Sequence, residues 1–217
     1  MIHVLDVSKS FGRVRALDHV AFRIEAGERV AIVGANGSGK TTLLRALVGL
    51  TRVEGRVLLQ GISVSEEPAR ALERLAYIPQ VSPAIDVSVG GVTKTLAALR
   101  GHSVKDVARH AAFLGLDLPA HERERFRDLS GGTRQKLLAA LALAAATPIL
   151  VADEPTASLD HDSRRAFEAA IVARGVGSTF VLCSHRAEEV ERLVTRVIEL
   201  RDGRIVRDER ACPRVAA

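Results

Sequence analysis

Residues 34–41 read Gly-Ala-Asn-Gly-Ser-Gly-Lys-Thr, a Gly-x-x-x-x-Gly-Lys-Thr loop, and no other stretch restricts the fold as tightly. Glycines let a backbone turn its amide N–H groups inward into a concave nest for phosphate oxygens. In such a loop the lysine, Lys40, reaches the β- and γ-phosphates, and the hydroxyl of Thr41 is offered to Mg²⁺. The flanks agree. Arg29 to Val33 is a short apolar run that reads as a buried strand, and Leu43, Leu44 and Leu47 have helical spacing after Lys40. Strand, glycine turn and helix N-terminus together make an anion site, because the helix dipole and free amides face the ligand. Gly34, Asn36, Gly37, Ser38, Gly39, Lys40, Thr41 and Thr42 are the nucleotide-binding residues expected of this segment.

The pattern around this unit is α/β. Val4 to Val7 and the alternating Val20, Phe22 and Ile24 read as early strands, with two more at Gly55 to Gln60 and Leu75 to Ile78. Between Pro83 and Phe126 the periodicity becomes helical, broken by Gly90-Gly91, Gly101 and Pro119, and predicts a helical subdomain at about residues 82–135. A strongly apolar helix from Gly131 to Ala146 precedes a buried strand at Ile149 to Ala152. Helix (Asp162 to Arg174), strand (Ser178 to Cys183) and helix (Arg186 to Val194) follow. Strands alternating with helices predict a mainly parallel sheet covered on both faces. Arg201-Asp202-Gly203-Arg204 is a hairpin turn between Val197–Leu200 and Ile205-Val206, and residues 208–217 are expected to fray.

Composition narrows the partners. The chain has 217 residues, enough for one domain with a real core, and carries a net charge of +5. Only Lys9, Lys40, Lys94, Lys105 and Lys136 are lysines, so arginine dominates the basic residues. The charges are scattered and aromatics make up 3% of the chain, which leaves no stacking platform and no expectation of a nucleic-acid partner. The mixed charges from His121 to Arg127 read as a solvated face rather than a docking face. Cys183 lies in an apolar run and Cys212 is far from it, so neither a disulfide framework nor a zinc site is expected. The start does not read as a signal peptide, and the apolar run from Leu137 to Ala146 is too short to span a bilayer. A cytoplasmic location is expected.

Two further motifs add chemistry. Ile149-Leu-Val-Ala-Asp153-Glu154 is an apolar strand ending in two carboxylates. Asp153 at its carboxyl end is placed to hold Mg²⁺ beside a phosphate loop, and Glu154 to polarise an attacking water. Leu129-Ser130-Gly131-Gly132 opens the apolar helix with Ser130 as a natural N-cap and leaves bare amides, a second anion site in the same chain. Two phosphate-facing surfaces on one small domain make sense if a second copy uses the second one.

With these motifs in order over about residues 2–207, the chain resembles the nucleotide-binding subunits of ABC transporters. Leu129-Ser-Gly-Gly resembles the family's signature, with Thr133 where glutamine is usual. Gln80, after Ala76-Tyr-Ile-Pro, is similar to the Q-loop glutamine, Ala157-Ser-Leu-Asp160 to the D-loop, and His185 to the switch histidine. Phe11 falls where the family places an aromatic that stacks on adenine.

The resemblance implies a single domain, 1–217, of P-loop NTPase architecture with an added antiparallel β subdomain. It implies Mg²⁺ as cofactor and ATP as substrate, hydrolysed between two subunits packed head to tail, as a homodimer or heterodimer. Ser130, Gly131 and Gly132 of one copy would face the γ-phosphate held by Lys40 of the other, with Asp160 at the interface. Gln80 would sense Mg²⁺ and the γ-phosphate, Glu154 would act as base, and His185 would contact the γ-phosphate and the water. The partner implied is a transmembrane permease, which would hold the protein at the cytoplasmic face of the membrane. Thr133-Arg-Gln-Lys136 is similar to signatures of exporter-type ATPases, and the lack of a further module after residue 207 points away from importers with a long C-terminal module, so export is expected. Ser88-Val-Gly-Gly91 replaces the frequent Thr-Val-x-Glu pattern, so coupling to the permease is expected to differ there. The alternative is a soluble ABC ATPase acting on ribosomes or nucleic acid, but such proteins usually join two such domains or carry coiled-coil inserts. A phosphate-loop kinase or GTPase is disfavoured by the signature, by His185 and by the absence of an Asn-Lys-x-Asp motif.

Overall fold

The computed structural model describes residues 1–175 and 177–210. In chain order the elements are β1 (Ile2–Phe11), β2 (Val14–Ile24), β3 (Arg29–Val33), α1 (Lys40–Leu47), β4 (Glu54–Leu59), β5 (Ile62–Ser63), α2 (Pro68–Glu73) and β6 (Leu75–Ile78). Next come α3 (Val89–Arg100), α4 (Val104–Phe113), α5 (Gly131–Ala144), β7 (Ile149–Asp153), α6 (His161–Ala173), β8 (Thr179–Cys183), α7 (Ala187–Leu193), β9 (Arg196–Arg201) and β10 (Arg204–Arg210). The chain divides into two compact units. One holds Met1–Tyr77, Thr147–Glu154 and the chain from Arg174, and the other holds Ile78–Ala146 and Pro155–Ala173.

The first unit contains both sheets. One is six-stranded, ordered β10-β9-β3-β8-β7-β6. Within it β9, β3, β8 and β7 pair in parallel and β10 returns antiparallel on β9. Every residue of β7 and β8 is buried, as strands covered on both faces must be, and their continuous apolar runs reflect it. The second sheet, β2-β1-β4-β5, is antiparallel throughout and supplies the β subdomain expected from the resemblance. Ile2, Val4, Val20 and Ile24 from this sheet, Leu43, Leu44 and Leu47 from α1, and Val30, Ile32, Ile149 and Val181 from the larger sheet form one core.

The second unit is helical. α3, α4 and α5 pack on one another around Val92, Val107, Ala111, Phe126 and Leu137. Gly90 and Gly91 begin α3 instead of breaking the helical pattern. Ser88 caps the helix by accepting from Gly91 N (3.1 Å), and Gly90 is needed because a Cβ there would lie 2.6 Å from Glu122 Cγ. The charges from His121 to Arg127 are largely paired within this unit. Arg125 and Arg127 both hold Asp86, Lys94 pairs with Glu122, and His121 with Glu124.

Two short elements, β5 and α2, have no counterpart in the sequence reading, being two and six residues long. The expected fraying from residue 208 gives way to strand as far as Arg210. Arg196 grips Asp208 with two hydrogen bonds (2.7 and 2.8 Å) and holds the end of β10 on β9. The rest of that tail, with Cys212, lies outside the described residues.

Candidate functional site

β3 ends at Val33, and the chain enters α1 through the loop 34–39. Gly34, Gly37 and Gly39 have φ of +147°, +83° and +104°, a region costly for any residue with a Cβ. Space is equally restrictive. A Cβ on Gly34 would stand 2.2 Å from Leu200 O, and one on Gly39 would stand 2.3 Å from Ala16 O. The first turn of α1 has no side-chain cap and no acidic residue, so its amides and the positive end of the dipole face the loop uncompensated. Lys40 Nζ curls back onto Gly34 O (2.8 Å) and Ala35 O (2.9 Å). Ser38 Oγ is buried with no partner. Together these groups form a cationic, donor-rich nest, and Asn36 and Gly37 sit exposed on it.

Asp153 closes β7 beside this loop. It is 1% exposed, and neither carboxylate oxygen has a hydrogen-bond partner. Burial pushes its carboxyl above the usual range, while the Cys183 thiol, the Thr41 hydroxyl, Arg45 and Lys40 act in the opposite direction. Burial, then Asp153 and Glu154, pushes the Cys183 thiol far up, which keeps it protonated, as expected of an inert buried cysteine. Tyr77 on β6 is pushed up to about 12, by burial first and by Asp153 second.

Glu154 follows with φ +48°, a left-handed conformation uncommon for a residue with a side chain. Its N–H donates to Cys183 O (2.8 Å) and its Oε2 lies 2.8 Å from His185 Nδ1. This turn aims the carboxylate away from the strand, at an exposed imidazole that follows β8. Phe11, at the end of β1, is 54% exposed, with Lys9 Nζ 5.1 Å from its ring centroid. It is a surface ring and not a core residue.

The second unit carries the remaining expected residues. Ser130 caps α5 by accepting from Thr133 N (3.1 Å), and a Cβ on Gly132 would lie 2.9 Å from Ser158 O. Gly131 has open space around it, so the helix start is accessible. Asp160 accepts from Ser163 N and Oγ (2.8 Å each) and pairs with Lys136 (3.0 Å). The Ser163 amide, then Lys136, holds its carboxyl far below the usual range. Gln80 is exposed in the bend after β6.

A model of the family described as ABC transporter matches residues 17–157. The chain belongs to that family. It is 36% identical over 222 residues to the phosphonates import ATP-binding protein PhnC of Anaeromyxobacter dehalogenans, covering 94% of this chain and 44% of the relative. It is 34% identical over 197 residues to ATP-binding cassette sub-family A member 7 of Rattus norvegicus, covering 88% of this chain and 9% of that one. The chain thus spans less than half the length of either relative. A dimeric ATP-binding cassette in a post-hydrolysis state, bound to ADP and Pi, superposes with a TM-score of 0.85 at 25% identity, over 98% of this chain and 99% of that one.

The donor set of the cassette fits Mg²⁺. A hard cation takes oxygen ligands, and the two unpartnered oxygens of Asp153 with the nearby Thr41 hydroxyl are of that kind. Among the described residues no group of three or more His, Cys, Asp or Glu could hold a metal by itself, so nucleotide phosphates would have to complete the shell. No helix among the described residues is long and apolar enough to cross a membrane. The sequence reading missed Asp18, Gly203 and Arg204, which brace the loop from behind. The signal for Asp18 was present, since it falls in phase with Val20, Phe22 and Ile24 on the buried side of β2.

Proposed function

We propose that this cassette hydrolyses ATP as half of a head-to-tail dimer and drives a transmembrane permease, to which it is bound at the cytoplasmic face. The observation that carries the reading is the turn Asp153-Glu154, where one orphaned carboxylate lies beside the phosphate loop and the next is aimed at His185. Lys40 leaves the carbonyls of Gly34 and Ala35 to meet the β- and γ-phosphates, and the amides of residues 37–42 hold the remaining oxygens. Phe11 stacks on adenine. Thr41 and Asp153 would hold Mg²⁺, and bound Mg²⁺ would neutralise charge on the phosphates. Ser130, Gly131 and Gly132 of the second copy donate to the γ-phosphate, and Asp160 fixes the loop that borders them.

Glu154 accepts a proton from the water that attacks the γ-phosphorus, and the bond from that phosphorus to the β–γ bridging oxygen breaks, giving ADP and phosphate. His185 orients the Glu154 carboxylate through its 2.8 Å contact and then lies against the γ-phosphate. Nucleotide acts as interface material, so closure is a ligand-driven population shift.

Relatives named for import sit beside others whose names carry no direction. Export rests on the resemblance of Thr133-Arg-Gln-Lys136 to exporter-type signatures. Reconstitution with the co-purified permease in both vesicle orientations tests it. The decisive experiment for the ATPase itself is Glu154→Gln. With saturating ATP and Mg²⁺ the variant binds nucleotide, stalls hydrolysis and elutes as a dimer. A variant that binds ATP and remains monomeric overturns the two-copy mechanism. Recovery of ribosomal proteins or nucleic acid in place of a multi-span protein would replace the transporter reading with a soluble one.

A further inference from the structure

We propose that Asp18 is a positioning residue for the nucleotide, tying the hairpin that carries Phe11 to the turn that braces the phosphate loop. The proposal rests on the reading of Phe11 and loop 34–39 as the two ends of the ATP site.

The β1–β2 hairpin turns at Gly12-Arg13, with Phe11 opposite Val14. Three residues after that turn, the Ala16 carbonyl is wedged between two glycines that come from distant parts of the chain. A Cβ on Gly39, the last residue of the phosphate loop, would lie 2.3 Å from Ala16 O, and one on Gly203 would lie 3.0 Å from it. Gly203 forms the β9–β10 turn and has both backbone groups engaged. Its N–H donates to Ser38 O (3.1 Å), and its carbonyl accepts from Asp18 N (2.9 Å). A hydrogen-bonded path therefore runs from β2 through Gly203 to the centre of the phosphate loop.

The Asp18 side chain locks this path. It is 7% exposed, although it lies on the surface-forming hairpin. Arg204 Nε and Nη2 both lie 2.5 Å from its Oδ2, and Arg15 Nε lies 2.8 Å from its Oδ1. Arg204 follows the bracing glycine directly, and Arg15 follows Val14, the partner of Phe11. One buried carboxylate thus holds an arginine from each of the two segments. Buried charges are retained where they are paired, and a pair of this kind fixes geometry more than it adds stability. The adenine end and the phosphate end of the site are thereby held at one separation, which a rigid ligand such as ATP requires.

Asp18→Asn keeps the shape and removes the charge. In the full chain, ATP affinity measured by calorimetry is expected to fall about tenfold, the size of a lost charge-assisted hydrogen bond expressed through the site. The KM for ATP should rise by a similar factor, with kcat at saturating ATP within about twofold. In a double-mutant cycle with Phe11→Ala, the Asp18→Asn penalty should largely vanish, because the hairpin then has nothing to position. Arg204→Ala, which removes only an exposed partner, gives a second route should Asp18→Asn fold poorly, and Arg204→Lys should recover much of the affinity. The proposal is overturned if Asp18→Asn and Arg204→Ala both bind ATP like wild type, or if the penalties add in the double variant. Phe11→Ala and Lys40→Ala that retain wild-type affinity would instead overturn the site reading beneath it.

Discussion

Asp153→Asn should make the nucleotide-free protein more stable while removing its use of Mg²⁺. Asp153 is 1% exposed and neither oxygen has a hydrogen bond of good geometry, so its negative charge is held against much of the cost of leaving water. The Cys183 thiol, the Thr41 hydroxyl, Arg45 and Lys40 offset part of that cost, but burial is the largest influence on the carboxyl and raises its pKa. An isosteric amide still loses hydrogen bonds to water, yet carries no charge, and relief of a buried charge of this kind is worth about 1–2 kcal/mol. For a chain of this size that corresponds to a rise in Tm of about 2–8 °C. The assay is thermal unfolding with and without ATP, each with Mg²⁺ or with chelator. Wild type at a hundredfold excess of ATP over Kd should gain about 2.7 kcal/mol, most of it dependent on Mg²⁺. The variant should start higher and gain the same small amount with or without Mg²⁺. A fall in Tm for the nucleotide-free variant would refute the reasoning, since it would mean that the carboxylate is already satisfied.

Gly34→Ala must move either the loop or the Leu200 carbonyl 2.2 Å away, and combines that clash with a φ of +147°; it should cost more than about 1 kcal/mol in chemical denaturation and abolish ATP binding by calorimetry. Phe11→Ala removes a half-exposed ring outside the core, so it should weaken ATP by about 1–3 kcal/mol in a titration and leave Tm within about 2 °C. Arg204 holds Asp18 below the usual carboxylate range, and Arg125, the Ser103 hydroxyl and the Ser163 amide do the same for Asp86, Asp106 and Asp160. A depressed carboxyl stabilises the fold above its unfolded value and loses that contribution as pH falls through the folded one, so denaturation midpoints should drop below about pH 4, while the raised carboxyl of Asp153 acts in the opposite sense and lowers stability as pH climbs above its unfolded value. Asp18→Asn should make that acid limb shallower than in wild type.

What the sequence disclosed about this site was local chemistry. The phosphate loop, the Ser130 cap and the buried runs of β7 and β8 are each set by neighbours a few residues away, and each stands where periodicity and glycine placement put it. Gly90-Gly91 shows the limit of that reasoning. A glycine pair reads as a break, but Ser88 supplies the cap and Glu122, more than thirty residues on, supplies the reason for a missing side chain. The Asp208 to Arg210 extension depends in the same way on Arg196, a partner twelve residues back on the neighbouring strand.

The orientation of the Glu154 carboxylate is of this second kind. Nothing in Ala152-Asp-Glu-Pro155 announces a left-handed Glu154; that conformation is held by the Cys183 carbonyl on the neighbouring strand and by His185 just beyond it. β7 and β8 are parallel with Asp153 opposite Cys183, so the register of two buried strands decides where Glu154 points. A one-residue slip would place Glu154 opposite a different carbonyl and part it from His185. The apolar residues of those strands are thus the means by which two adjacent acids, given separate roles by the sequence, come to face different ways: one oxygen pair turned in toward the phosphate loop, the other carboxylate turned out toward the imidazole.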